Sequence, residues 1–121
     1  MRVVHERGAE SRALASRVDV AESLLARGRG LAFRRSIPDD YALVFPFGRA
    51  ATRRLHMLFV PFPIDAVWTV EETVTAARRL SAWTGHGGAR ADVVYELPAG
   101  AADGVRAGDR VYHVAESGTP K

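Results

Sequence analysis

From residue 41 onward the apolar residues come in short runs cut off by proline, glycine or paired acids, and this punctuation constrains the fold most. Tyr41-Ala42-Leu43-Val44-Phe45 is an unbroken apolar run that Pro46 closes. Leu55 to Val60 is apolar on both faces, which predicts a central strand. Pro61 and Pro63 cannot donate to a ladder and predict a kink after it. Ile64 to Val70 alternates, with Ile64, Ala66, Trp68 and Val70 on one face. Glu71-Glu72 reads as a polar tip, and Thr73 to Leu80 as the returning hairpin partner. Ser81 to Arg90 reads as a loop, Asp92 to Leu97 as a strand ended by Pro98, and Ala99 to Val105 as a short helix. Gly108-Asp109 turns into a last strand, Arg110 to Ala115.

Upstream, Arg17 to Ala21 alternates like a half-buried strand. Ser23 is placed to cap a helix over Leu24 to Phe33, whose stripe is Leu24, Leu25 and Leu31. Gly28 and Gly30 weaken that helix. Ser36-Ile37-Pro38-Asp39-Asp40 is a turn, because proline fixes φ and the aspartates bond nearby backbone. Seven or eight short strands and one modest helix predict a mainly β fold. The expected architecture is a single-domain antiparallel β-sandwich or flattened barrel with one short helix packed on it. Too few helices remain for the crossovers of a parallel α/β sheet. The domain is expected over residues 1–116, with a flexible tail at 117–121.

Composition narrows the function classes. At 121 residues the chain fits one domain, and 47% hydrophobic residues with a net charge of +3 are unlike a disordered segment. The absence of cysteine excludes a disulfide framework, a thiolate metal site and a thiol nucleophile. No apolar run nears the roughly 20 residues that span a bilayer, and the N-terminus lacks the long apolar stretch of a secretory signal. A soluble, cytoplasmic protein without membrane contact is the expectation. Lys121 is the only lysine, so the basic charge is otherwise guanidinium. Arginine suits phosphate recognition, but Arg34-Arg35, Arg53-Arg54 and Arg78-Arg79 are dispersed and interleaved with acids. Weak nucleic-acid binding by these pairs is a minor alternative.

Four segments in order resemble a known family. Gly30-Leu31-Ala32-Phe33-Arg34 is similar to a Gly-Leu-Met-Phe-Arg signature, and Tyr41 to Phe47 sits where that family has an apolar strand. His56 to Trp68, containing Pro63-Ile64-Asp65, resembles a Trp-Met-Lys-Asn-Thr-x-Ile-Pro-Leu-Asp block. Glu96-Leu97-Pro98-Ala99-Gly100 followed by Gly108-Asp109-Arg110-Val111 resembles its ending. The family is domain of unknown function 192, and the resemblance covers roughly Val18 to Val114. It implies a compact β-sandwich with a helix near one end, and neither an activity nor catalytic residues. Leu58-Phe59 replaces the family's Lys-Asn pair and His56 its tryptophan. Cysteines that many relatives carry are replaced within Trp83 to Gly88.

Candidate site residues follow from chemistry. Asp65 and Glu96 lie in apolar strands, and an unpaired carboxylate there costs several kcal/mol or becomes protonated. Arg34 is the expected partner for one of them. The alternatives are an ion pair pinning the helix to the sheet, and a general acid or base with raised pKa. His5, His56, His86 and His113 lack metal-ligand spacing, so no metal and no cofactor is expected. Trp83 to Arg90 is glycine-rich and offers stacking, titration and charge through Trp83, His86 and Arg90. The leading expectation is a non-catalytic module that binds a small molecule or protein partner through Arg34, His56, Asp65, Trp83, His86, Arg90 and Glu96. The alternative is a small hydrolase-like enzyme using a buried carboxylate with His56.

Overall fold

The computed structural model describes residues 1–23 and 29–115. Eight strands account for its regular structure: β1 (Arg2–Arg7), β2 (Glu10–Ala15), β3 (Arg17–Val20), β4 (Tyr41–His56), β5 (Ile64–Val70), β6 (Thr73–Leu80), β7 (His86–Pro98) and β8 (Arg110–Val114). They form one sheet in the order β2-β1-β8-β6-β5-β7-β4-β3. The mainly β class stands, and the layers arise from one sheet instead of two separate ones. β2 and β3 occupy opposite ends of this order, yet only Ser16 separates them in the chain. The sheet therefore has to curl until its two edges approach. Ser16 and Arg17 both donate backbone bonds to the Asp40 carbonyl at 2.9 Å, which fixes the corner where β3 joins β4.

Alternation along the central strands builds a core on each face. Ala42, Val44, Val67, Tyr95 and Leu97 face one cluster with Val3 and Val111. Leu43, Phe45, Ala66, Trp68 and Val94 face the other, with Met57 and Val60. This explains why Tyr41 to Phe45 is apolar throughout: both faces of that strand are buried. Trp68 is 0% exposed, and its Nε1 donates to the Arg53 carbonyl at 2.8 Å.

Several sequence expectations need correction. β4 does not stop at Pro46. It continues to His56, with residues 47–50 bulging opposite Asp92 before pairing resumes at Ala51. Proline is tolerated at such a bulge because no ladder donor is needed there. The strand expected over Leu55 to Val60 ends at His56, and Met57 to Val60 is a turn closed by Val60 N–H to the Met57 carbonyl at 2.9 Å. His86 to Arg90 belongs to β7, paired with the second half of β4. The helix expected over Ala99 to Val105 is a series of turns. Of the helix expected over Leu24 to Phe33, residues 24–28 lie outside the described residues, and Gly30 to Phe33 form a turn. The tail expected at 117–121 also lies outside them. Among the described residues no helix is long and apolar enough to cross a membrane.

Candidate functional site

The Met57–Val60 turn is the hub of one end of the molecule. Phe33 N–H donates to the Phe59 carbonyl at 2.8 Å, Trp83 N–H to the Val60 carbonyl at 3.0 Å, and Met57 N–H to the Gly85 carbonyl at 3.0 Å. Three connections, at residues 29–34, 57–60 and 81–85, are thereby tied together. Met57 and Val60 point into the core, whereas Phe33, Leu58, Phe59 and Trp83 are exposed by 66, 55, 47 and 57%. The Phe33 and Phe59 rings stack with centroids 4.8 Å apart. Phe33, Phe59 and Trp83 also have φ of 70, 64 and 66°, a left-handed conformation that costs a non-glycine residue about 1–2 kcal/mol each. Solvent exposure gives bulky aromatics no return for that cost. Strain of this kind concentrates at functional sites.

Behind this rim lies Glu96. It is 6% exposed, and its Oε1 has no hydrogen-bond partner. Burial pushes its carboxyl up to about 7, a rise that the positive charge of Arg34 partly offsets. The register places Glu96 opposite Leu43 on one side and Ala66 on the other, so it faces the same core layer as Val94. Gly30 covers it. A Cβ there would stand 3.6 Å from Glu96 Oε1, and Gly30 has φ of +52°. The carboxyl borders a cavity of about 70 Å³ that Gly30, Arg29, Arg54, His56 and Leu58 also line. Four of these, Arg29, Arg54, His56 and Leu58, are exposed, so the cavity reaches the surface beside the aromatic rim.

The expected site residues divide. Glu96 and His56 line this cavity together. Trp83 stands on the rim, and His86 is the cross-strand partner of His56. Arg34 does not pair with either carboxylate. Its Nη1 donates to Tyr41 Oη at 3.0 Å, and Tyr41 Oη donates to Asp19 Oδ2 at 2.8 Å. Burial and the Asp19 bond push the Tyr41 phenol up to about 12. Asp65 is committed elsewhere: Oδ1 accepts from Arg79 Nε at 2.9 Å, and Oδ2 from the N–H groups of Gly100 and Ala102 at 2.9 and 3.0 Å. It pins the turns after β7 and does not join the Glu96 site. Arg90 lies further along β7, opposite Thr52.

Sequence reasoning did not single out Gly30, Phe33, Leu58 or Phe59 as site residues. Leu58 and Phe59 were hidden in an apolar run read as a strand. Two signals marked them: the position shortly before Pro61, where regular pairing is about to end, and the replacement of the family's Lys-Asn pair. Each arginine pair also has one internally committed member: Arg34 on Tyr41, Arg53 stacked 4.1 Å from the Phe47 ring centroid, and Arg79 on Asp65. Among the described residues no group of three His, Asp or Glu could hold a metal.

The family model of domain of unknown function 192, described as an uncharacterized ACR, matches residues 4–113. The chain belongs to the DUF192 family. The match includes the β1–β2 hairpin, upstream of the motifs that carry the sequence resemblance. Two solved structures share the DUF192 fold seen here. One is a protein of Sinorhizobium meliloti 1021 provisionally described as a transcription regulator, with TM-score 0.79 and 23% identity, covering 92% of this chain and 91% of that one. The other is a protein of unknown function from Novosphingobium aromaticivorans DSM 12444, with TM-score 0.76 and 19% identity, covering 93% and 84%. No curated protein matches the chain.

Gly85 holds the rim in place. A Cβ at this position would stand 2.5 Å from the Ser81 nitrogen and 2.6 Å from its oxygen, both backbone atoms. Gly85→Ala is expected to destabilise the protein by about 1–3 kcal/mol through this overpacking. Thermal denaturation checks the loss, and the Trp83 and Met57 amide resonances should move with it.

Proposed function

We propose that this DUF192 protein is a non-catalytic binding module whose ligand lays an apolar body on Phe33, Leu58, Phe59 and Trp83 and directs a hydrogen-bond donor at Glu96. The observation that carries this reading is the unpartnered Glu96 Oε1 bordering a cavity that opens beside that rim. Buried polar atoms in native structures are nearly always satisfied, so an orphan acceptor is a place for a donor. Apolar walls with a few convergent polar groups are the usual make-up of a small-molecule site. The cavity's small volume fits a hydroxyl or amide group and leaves the rest of the ligand on the rim.

Titration with benzyl alcohol and benzamide, followed by amide chemical shifts, tests the reading. The expected result is saturable movement at Gly30, Leu58, Phe59 and Glu96, with Glu96→Leu weakening binding by about tenfold through loss of one charged acceptor. Shifts confined to other surfaces, or equal affinity in Glu96→Leu, would remove the proposal. A second reading, general acid–base catalysis by Glu96 with His56, is favoured by the same raised carboxyl. It requires turnover of an activated ester such as p-nitrophenyl acetate that Glu96→Gln reduces by about a hundredfold or more.

A further inference from the structure

We infer a second site, for a small phosphate dianion, on the arm formed by the outer halves of β4 and β7. In this arm His56 stands opposite His86, Leu55 opposite Gly87, and Arg54 opposite Gly88. The two glycines clear the ground between two arginine stems. A Cβ at Gly88 would come within 3.1 Å of Arg54 Cγ, and one at Gly87 within 3.4 Å of Trp68 Cη2 and 3.7 Å of Arg78 Cδ. Arg54, Arg78, His56 and His86 thus converge on one open depression of about 620 Å³, which no Asp or Glu lines.

The arginines are available. Among the described residues Arg54 and Arg78 form neither an ion pair nor a side-chain hydrogen bond, whereas Arg7, Arg79 and Arg110 are each ion-paired. Two unpaired guanidinium groups brought to one acid-free depression leave a local excess of positive charge that a counter-ion would neutralise. Guanidinium forks match phosphate oxygens bidentately, and the two imidazoles add ring N–H donors. This chemistry is met equally by inorganic phosphate and by a phosphate monoester. The site shares Arg54 and His56 with the Glu96 cavity but adds Arg78 and His86 and does not involve Glu96.

Nuclear magnetic resonance titration of the full chain with inorganic phosphate and with phenyl phosphate, against sodium chloride at matched ionic strength, tests the inference. Both phosphates are expected to give saturable shifts at the His56 and His86 rings and the Gly87 and Gly88 amides. Arg54→Ala or Arg78→Ala should each weaken binding by about tenfold, as expected for loss of a charge-assisted bond. Arg54→Lys and Arg78→Lys should recover part of the loss, and Arg106→Ala should change nothing. Tighter binding of phenyl phosphate would identify an organic monoester as the ligand type, and equal binding the free anion. Glu96→Gln should leave phosphate affinity within twofold of wild type, so failure of the Glu96 reading and failure of this one are separable. Shifts reproduced by sodium chloride, or unchanged binding in the Arg54→Ala/Arg78→Ala double variant, would overturn it.

Discussion

Asp65→Ala is expected to lower stability by about 3 kcal/mol, equivalent to roughly 12 °C in melting temperature for a domain of this size. Asp65 is only 4% exposed, and it accepts from Gly100 N–H, Ala102 N–H and Arg79. Truncation leaves the two N–H groups without their acceptor, and each such buried donor costs about 1–3 kcal/mol. The ion-pair part is smaller, because the Arg79 side chain is 52% exposed and rehydrates when its partner goes. Asp65→Asn keeps an oxygen for the backbone donors and removes the charge, so about half the loss is expected. The two contributions separate by salt: the arginine part fades with ionic strength and the backbone part does not. Urea denaturation of both variants at low and high salt measures this. A loss below about 1 kcal/mol in Asp65→Ala would mean that other contacts hold the turns after β7.

The partner of Asp65 shows where sequence reasoning reaches and where it stops. β5 and β6 were legible to the residue, because Glu71-Glu72 marks the hairpin tip and alternation on each side sets the strands. Val70 pairs with Thr73, and carrying that register back unbroken would put Asp65 opposite Arg78. A bulge between Trp68 and Thr69 moves the pairing by one, so Asp65 meets Arg79, and Arg78 stands opposite Ala66 without a carboxylate partner. No local pattern announces that bulge. The second half of β4 and the first half of β7 were missed for a related reason. Pro46 and Gly87-Gly88 read as breaks, and the two segments become strands because they pair with each other. Glu96 was legible as a carboxylate out of place among apolar neighbours, since burial follows from the strand pattern. The rim was not. Hydropathy alone does not distinguish an apolar run inside a sheet from one displayed on a turn, and the positive φ of Phe59 is what turns Leu58 and Phe59 outward.

The pH dependence of stability provides the other large effect, and its sign follows from Glu96. The folded protein holds this carboxyl at about 7, against an ordinary value of 4.5 in the unfolded chain. Between those values the folded state binds a proton that the unfolded state has released, so stability falls as pH rises. The expected swing is on the order of 3 kcal/mol, complete by about pH 8. Burial lowers the His113 value below 6.5, and that group acts in the opposite sense, adding stability as pH rises toward and through 6.5. Asp109, held well below the usual carboxylate range by Arg7 and His5, loses its contribution only at more acidic pH. The raw profile of the wild type is therefore partly cancelled, and the difference from Glu96→Gln isolates the effect. That difference should be flat below about pH 4.5 and should shift against the wild type up to about pH 7, with Glu96→Gln the more stable protein at pH 8. A flat difference across this range would show that Glu96 is hydrated or paired and would remove the basis for a donor-seeking cavity. A ligand that donates a hydrogen bond to the ionised carboxylate must pull the midpoint downward, and by linkage its affinity must rise with pH over the same interval. Stability and binding measured on one pH axis therefore test whether the buried carboxyl and the proposed site are the same group.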